Sequence, residues 1–409
     1  MSKVLVIGSG GREDVIATTF LKSPQVDKVY CAPGNPGMVA HKIICVNIAE
    51  LNFKKLLSFC KNKNINLIFV GPELPLAKGI VDYFSSKGFK IFGPDKKSSR
   101  LESDKKFAKE FMRKNKIPTA EYKSFTNYLQ AKKYADKIPS PMVIKENGLA
   151  GGKGVTITRN KKEIPSIIKK SLKKSGKILI ENFLKGEEFS IFLFISPDNE
   201  ILSPFAQDHK KLYKGEKGPN TGGMGAYSPI PHINKNIKKQ VIKNIIKPTI
   251  NGLKKEKYNY TGVIYIGCIL TQKGPKVIEY NVRLGDPETQ VLLPQLKSDF
   301  YQLVISLINN RKPKIKWQKD NFYLGVTVCA PGYPSHPKQN IFIPNLPQNV
   351  FYAGILEKNK KRYSSGGRIF TIVDHKKDLL ATQKRVYQEL DKINLNNFYY
   401  RKDIGYKDL

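Results

Sequence analysis

Long apolar runs are missing from this 409-residue chain: nothing approaches the roughly 18 consecutive apolar residues that a membrane-spanning helix requires. The opening MSKVLVIGSG has a short apolar stretch before its first glycine, which suits a first β-strand and not a secretory signal. A soluble, cytoplasmic protein is therefore expected. Cysteine is scarce too. Its five copies, Cys31, Cys45, Cys60, Cys268 and Cys329, are far apart and never form CxxC, which argues against a zinc or redox site. Their mostly apolar flanks suit buried free thiols. Acidic residues number 34 against 71 basic ones, a net charge of +37. Such an excess ordinarily points to nucleic acid, but only ten of the 71 are arginine. The lysines are spread over every expected helix, as in KKLLSFCKNKN, with no basic tail and no aromatic-interleaved patch. The charge reads as compositional drift, and no nucleic-acid partner is expected.

The length suggests two to four domains, at about 100–200 residues each. Residues 1–102 alternate apolar runs (KVLVIG, KVYCA, KIICV, LIFVG, KIFGP) with amphipathic segments such as FKKLLSFCKNK. That order predicts a parallel sheet with helices on its faces and a ligand beyond the carboxyl ends of its strands. One helix, LESDKKFAKEFMRKNK, follows and stops at Ile117-Pro118, because the residue before proline disfavours helical geometry. Residues 119–188 read as strand, helix, strand, glycine loop, strand, helix and strand. Longer strands, FSIFLFIS and VIYIGCILTQ, and a helix near 234–255 fill the rest of a unit spanning 103–311. KPKIKWQKDN reads as a linker, and 322–409 as a small mixed α/β domain closed by the helix DLLATQKRVYQEL.

Three glycine-rich or polar motifs carry chemistry. Gly8-Ser9-Gly10-Gly11-Arg12 follows the first strand and opens a helix, where backbone N–H groups and the helix dipole favour an anion. It fails as a dinucleotide fingerprint because Glu13 stands where the third glycine belongs, so a phosphate-bearing substrate fits better than NAD. The plain alternative is a strand-to-helix turn with no ligand. Asn35-Pro36-Gly37 and Gly71-Pro72-Glu73 fall on the same sheet edge. Next, Val143-Ile144-Lys145 and Gly148-Leu149-Ala150-Gly151-Gly152-Lys153-Gly154 set a strand lysine beside a glycine-rich hairpin with a second lysine. Such a hairpin can close over nucleotide phosphates, although its spacing is not that of a P-loop. The stretch from Ile178 through Glu181, Asn182, Phe183 and Leu184 has the look of an adenine hinge, with Glu188 placed for ribose hydroxyls.

The third motif is Glu279-Tyr280-Asn281-Val282-Arg283, ahead of Gly285-Asp286-Pro287-Glu288. Strand alternation points Glu279, Asn281 and Arg283 to one face and Ile278, Tyr280 and Val282 to the other. A carboxylate and an amide oxygen are hard ligands suited to Mg²⁺, and the arginine can steady a transferring phosphoryl group. Between these motifs lie Asp208-His209-Lys210 and the loop Gly218-Pro219-Asn220-Thr221-Gly222-Gly223-Met224-Gly225. Glycine in such number costs entropy and implies close backbone approach to a small ligand. Asp208 suits an ammonium and the loop N–H groups a carboxylate. His209 is a possible base, but a histidine beside lysines is more often structural.

Taken in order, KVLVIGSGGRE, VGPELPLAKGIVD, VIKENGLAGGKGV, GPNTGGMGAYSP, KVIEYNVRLGDPETQ, VFYAGI, GGRIF and YRKDIG resemble the ATP-grasp superfamily, in particular its phosphoribosylamine–glycine ligase family. The resemblance runs along nearly the whole chain. It implies an N-terminal parallel-sheet domain, an ATP-grasp domain with a mobile lid at 119–188, and a mixed C-terminal domain. It also implies ATP with Mg²⁺ or Mn²⁺, small-molecule substrates and a monomer. ATP would phosphorylate glycine, and the amine of 5-phosphoribosylamine would attack the acyl phosphate. On that resemblance Glu279 and Asn281 hold the metal, and Lys105, Lys145, Lys153, Glu181, Phe183, Leu184 and Glu188 contact ATP. Arg283, Asp208 and Gly222-Gly223 hold glycine and the acyl phosphate, with Arg283, Asp208 and Lys145 as the catalytic set. Gly10, Gly11, Arg12, Asn35, Gly37 and Glu73 take the phosphoribosylamine. The chain departs from the family at Asp14, usually histidine, at Asn182, usually acidic, and at Leu284, usually aromatic. The nearest rival reading is another ATP-grasp ligase of purine synthesis, against which GPNTGGMGAYSP speaks.

Overall fold

The computed structural model describes residues 1–151 and 154–409. Its first sheet is built from β1 (Ser2–Gly8), β2 (Val26–Pro33), β3 (Ile44–Cys45), β4 (Leu67–Val70) and β5 (Ile91–Phe92), all parallel in the order β3-β2-β1-β4-β5. The apolar run in β1 is continuous because both of its faces are covered. Val4 and Val6 pack under the helix Gly11–Leu21, while Leu5 and Ile7 meet the helix Phe53–Lys63. The chain order reverses between β1 and β4, which opens a crevice at their carboxyl ends, where Gly8 and Gly71 sit.

The single helix expected after this sheet is two helices, Arg100–Ser103 and Lys105–Lys114. Asp104 between them is extended, and its carboxylate accepts a hydrogen bond from the Phe107 N–H at 3.1 Å. A strong N-cap residue inside a helical pattern restarted the helix. The restart places Lys105 in the first turn of the new helix.

The next unit has the order expected of it. β6 (Tyr122–Phe125), β7 (Met142–Glu146), β8 (Val155–Thr158) and β9 (Ile178–Asn182) form an antiparallel sheet, order β6-β9-β7-β8. The helices Tyr128–Ala135 and Ile164–Ser175 cover it through a small core of Ala131, Ile144, Ile168 and Ile180.

Beyond it come β10 (Glu187–Ile195), β11 (Glu200–Leu202), β12 (Gln207–Asp208), the hairpin of β13 (Lys211–Tyr213) and β14 (Lys217–Asn220), and β15 (Gly225–Ser228). The expected helix then runs from Lys235 to Lys255 with one π turn at Ile242–Ile246. β16 (Gly262–Thr271) and β17 (Gly274–Asn281) join β10 and β11 in an antiparallel sheet ordered β11-β10-β16-β17. The last strands are β18 (Phe322–Cys329), β19 (Val350–Tyr352), the hairpin of β20 (Ile355–Lys358) and β21 (Lys361–Ser364), and β22 (Arg368–Lys376), followed by the helix Leu379–Asp391.

One sheet crosses the sequence in a way that periodicity does not reveal. Its order is β12-β15-β18-β22-β19, so residues 207–228 and residues 322–376 share a single layer. The KPKIKWQKDN stretch is pinned as well: Trp317 bridges to Leu296, and the Lys297 N–H donates to Lys316 O at 2.9 Å. All five thiols are free and four are buried. Among the described residues no helix is long and apolar enough to cross a membrane.

Candidate active site

The end of β17 sets the geometry. Glu279, Asn281 and Arg283 meet: the Asn281 amide donates to the Glu279 carboxylate at 3.4 Å, and Arg283 donates to Asn281 Oδ1 at 3.2 Å. Strand alternation is not the whole reason. The pairing of β16 with β17 shifts at Gly267/Cys268, so that Gly267 faces Glu279 while Cys268 faces Val277 and Ile278 becomes the extra residue. A bulge of this kind re-aims side chains. Val277 and Tyr280 therefore enter the core, and Ile278, expected on the opposite face, lines the cleft with Glu279. The strand itself ends at Asn281, and Arg283 reaches the same place from the turn beyond it.

These groups line a cleft of about 480 Å³. Arg283 is clamped there by two carboxylates from before residue 103, Glu73 at 3.2 Å and Glu102 at 3.2 Å. Burial alone would raise the Glu73 carboxyl, but the guanidiniums of Arg283 and Arg12 outweigh it and hold it down at about 2. Glu102 goes the other way. Burial pushes it up to about 7 despite Arg283, while its other oxygen accepts the Val282 N–H at 2.7 Å.

Across the cleft stand lysines. Lys145, on β7, donates to the Ile278 carbonyl at 3.2 Å and pairs with Glu181 at 3.1 Å. Lys109 pairs with the same Glu181 oxygen at 3.0 Å, and burial, partly offset by Glu181, brings its amine down to about 8. The second Glu181 oxygen is buried without a hydrogen-bond partner among the described residues. Lys105 donates to the Gly148 carbonyl at 2.6 Å, and burial lowers its amine even beside Glu279. Burial would raise Glu279, yet Lys210, Lys145 and Lys105 together keep it below the ordinary carboxylate range. Phe183, Leu184 and Glu188 form the next part of the wall, with Glu188 paired to Lys210 at 3.2 Å.

Asp208 closes the cleft from β12, 8% exposed, and burial pushes its carboxyl up against the pull of Lys210. His209 turns away. It is fully buried, its Nε2 accepts the Gly405 N–H at 3.3 Å, and burial with Arg401 nearby pushes the ring down to about 3. It is a neutral packing residue and not a base in the cleft.

The glycine loop is held differently from the expectation that its N–H groups are open to a carboxylate. The Gly222 N–H donates to Tyr333 Oη at 2.8 Å, and the Gly223 N–H donates to Thr221 Oγ1 at 3.0 Å. Arg368 donates to the Gly222 carbonyl at 2.6 Å, to the Asp286 carbonyl at 2.7 Å and to its carboxylate at 2.9 Å. Gly223 has φ +112, and a Cβ there would fall 2.3 Å from Pro287 Cδ. Gly223→Ala is thus expected to displace the loop, lowering turnover by about 100-fold through misplacement while any ligand held only on the far side of the cleft keeps its affinity. Parallel turnover and binding measurements check this.

The amino-terminal residues divide. Arg12 and Glu73 line the cleft. Gly10 lines a second cavity of about 350 Å³, bounded also by Thr221, Gly222, Asp286, Tyr333, Gly354 and Arg368. The Gly10 N–H already donates to the Glu13 carboxylate at 2.7 Å. Gly11, at the helix start, abuts Gln290. Asn35 uses its amide on the Ser9 and Tyr352 carbonyls and on the Gly37 N–H, and a Cβ at Gly37 would fall 2.4 Å from Tyr352. Asn35 and Gly37 therefore face the later part of the chain and line neither cavity. Asp14 does the same, accepting from His41 at 2.8 Å and from the Tyr352 N–H at 2.6 Å. Asn182 donates to Glu121 at 3.1 Å. Lys153 lies outside the described residues.

Sequence reasoning missed Lys109, Glu102, Lys210 and Arg368, all of which line the cleft. Lys109 was open to inference, since it stands one helical turn after Lys105. Glu102 and Arg368 carry no local signal, because only the fold brings them to β17 and the glycine loop.

Comparison with known proteins agrees along the chain. The phosphoribosylglycinamide synthetase family models match in three parts: the N domain over residues 2–102, the ATP-grasp (A) domain over 103–289 and the C domain over 323–407. A phosphoribosylamine–glycine ligase of Lactococcus lactis subsp. lactis is 47% identical over 407 residues, covering 98% of this chain and 99% of that protein. The crystal structure of a phosphoribosylamine–glycine ligase from Thermotoga maritima superposes with a TM-score of 0.86 at 31% identity, over 98% of this chain and 100% of that one. A biotin carboxylase from Campylobacter jejuni shares the fold alone, with a TM-score of 0.74 at 15% identity, over 98% of this chain and 92% of that one.

Proposed function

The chain belongs to the phosphoribosylglycinamide synthetase family, and from that premise we propose how its cleft carries out the ligation of glycine to 5-phosphoribosylamine. The enzyme is an ATP-dependent ligase of purine biosynthesis. The glycine carboxylate attacks the γ-phosphorus and ADP leaves; the amine then attacks the acyl carbon, phosphate leaves and one proton is lost. The observation that supports the residue assignment is the meeting of Glu279, Asn281 and Arg283 opposite Lys145 in one cleft.

In this reading Lys105, Lys145 and Lys153 neutralise the phosphates. Glu181, Phe183, Leu184 and Glu188 receive the nucleoside, and the unpartnered oxygen of Glu181 leaves an acceptor for it. ATP-grasp enzymes use ATP with a divalent metal. Glu279, held anionic by three lysines, and Asn281 beside it offer hard oxygen donors. Two such donors suit an ion whose remaining positions are filled by phosphate oxygens and water. Bound there, Mg²⁺ or Mn²⁺ would offset charge on the phosphates. Arg283 steadies the transferring phosphoryl group and Asp208 takes the ammonium of glycine, with Gly222-Gly223 shaping its pocket.

Phosphoribosylamine belongs in the second cavity, between Gly10 and the Tyr333, Gly354 and Arg368 side, with Arg12 and Glu73 reaching it from the first cleft and Gly11 behind Gly10 at the helix start. Domains at 1–102, 103–311 and 322–409, a lid at 119–188, a monomeric state and a cytoplasmic location complete the reading. ADP release should require glycine and rise with phosphoribosylamine; a rate indifferent to glycine would refute the assignment.

A pH profile tests Asp208. Burial raises its carboxyl above the ordinary carboxylate range, so the anion that binds an ammonium is lost at a higher pH than for a free carboxylate. kcat/KM for glycine, which reports groups of the free enzyme, should fall by about tenfold per unit on the acid side of that raised value. Asp208→Asn should abolish that limb.

A further inference from the structure

The segment 401–408 lines neither cavity, yet Arg401, Asp403, Gly405 and Asp408 all bond to the stretch that carries Asp208, Lys210 and the glycine loop. Arg401 is fully buried. It forks onto Asp403 with two contacts of 2.8 Å, and it reaches the Lys211 carbonyl at 3.0 Å and Glu216 at 2.9 Å. Asp403 in turn accepts the Gly215 N–H at 2.9 Å. The Gly405 N–H donates to His209, whose own backbone pairs with Gly225 and Met224. Ile404 fills the space where a Cβ on Gly225 would stand, 2.9 Å from its Cγ1. Asp408 lies 2.7 Å from Tyr227 Oη and accepts from the His232 ring at 2.8 Å, and Tyr227 Oη, with one proton to share, also touches the Gln207 side-chain amide. Lys407 pairs with Glu187, next to Glu188, at 3.1 Å.

On the amino-acid side these contacts flank the cleft residues along the chain: 209 beside 208, 209 and 211 around 210, and 225 and 227 after the loop. The segment is itself fixed from behind. Gln383 on the helix Leu379–Asp391 donates to the Ile404 carbonyl at 2.8 Å, and Tyr387 Oη accepts the Ile404 N–H at 3.0 Å. On the ATP side the segment comes near only Glu188, through Lys407 on the neighbouring Glu187; among the described residues none of its hydrogen bonds or ion pairs reaches Lys145, Lys109 or Glu181.

We infer that residues 401–408 are a positioning strap for the amino-acid half of the active site: they hold Asp208, Lys210 and the Gly222 loop in register without touching substrate. This rests on the glycine-binding role of Asp208. Buried bidentate Arg–carboxylate contacts impose orientation as well as proximity, which is what a site for so small a ligand needs.

The test is steady-state kinetics on the full chain with Asp408→Asn and, separately, Arg401→Lys, which keeps the charge and loses the fork. KM for glycine should rise about tenfold or more through misplacement of its binding groups, with KM for ATP unchanged and the far-ultraviolet spectrum intact. Unchanged KM for glycine in a folded variant, or equal rises for glycine and ATP, overturns the strap. Asp408→Asn serves if Arg401→Lys does not fold. A wild-type chain whose ADP release ignores glycine would overturn the underlying role of Asp208 and the strap with it.

Discussion

Arg283→Ala is expected to lower kcat by about 100- to 1000-fold, the range for removing one preorganised donor to developing transition-state charge. The fold should persist, because the guanidinium lies in the cleft and not in the core. Its neighbours make the outcome distinctive. Arg283 sits between Glu73 and Glu102, and without it the two carboxylates face each other across a buried gap. Glu102, already raised to about 7 by burial, takes up a proton at neutral pH and limits the damage. Glu73 loses the main cation that holds it near 2. A carboxyl depressed in the folded state stabilises the fold above its unfolded value and loses that contribution as pH falls through its folded one. The variant should therefore lose stability near neutrality and show a flatter acid limb in thermal melts. Arg283→Lys should rescue little, since one ammonium cannot span Glu73, Glu102 and Asn281 together. Single-turnover ADP formation measures the chemical step, and near-wild-type rates would place the guanidinium outside the transition state.

What the sequence disclosed depended on whether a signal was local. β1 was visible as an unbroken apolar run, and the order of elements between Tyr122 and Asn182 could be read from period and glycine alone. Glu279 and Asn281 were legible because two-residue alternation holds over that short span. The same rule misplaced Ile278, since a bulge is fixed by pairing with Gly267 and Cys268 on the other side of a turn. Asp104 split a helix that periodicity ran together, although a capping aspartate before a lysine-rich amphipathic stretch was itself a signal. Wholly unreadable was the shared sheet of β12, β15, β18, β22 and β19. Long-range pairing leaves no periodic trace, and with it went the roles of Arg368, Tyr333 and the segment 401–408. Asn35 and Gly37, which look like a ligand turn, instead seat Tyr352.

Glu279→Gln carries the second large effect and separates two roles of one carboxylate. In the metal-binding role proposed for it, its charge would be the main attraction for a divalent ion, and even outer-shell losses cost about 10- to 100-fold in metal affinity. The Mg²⁺ concentration for half-maximal activity should rise by at least that factor. As a counter-ion, Glu279 also offsets Lys105, Lys145 and Lys210, which hold it below the usual carboxylate range. Removing the charge frees those ammonium groups for phosphate, so metal-free nucleotide should bind as tightly as before or tighter. The two effects have opposite signs, and a general loss of structure would weaken both. Calorimetric titration of nucleotide without metal, and of Mn²⁺ into the nucleotide complex, measures each directly. Weakened metal binding with preserved nucleotide binding is the expected pair; an unchanged metal titration would move the ion away from Glu279.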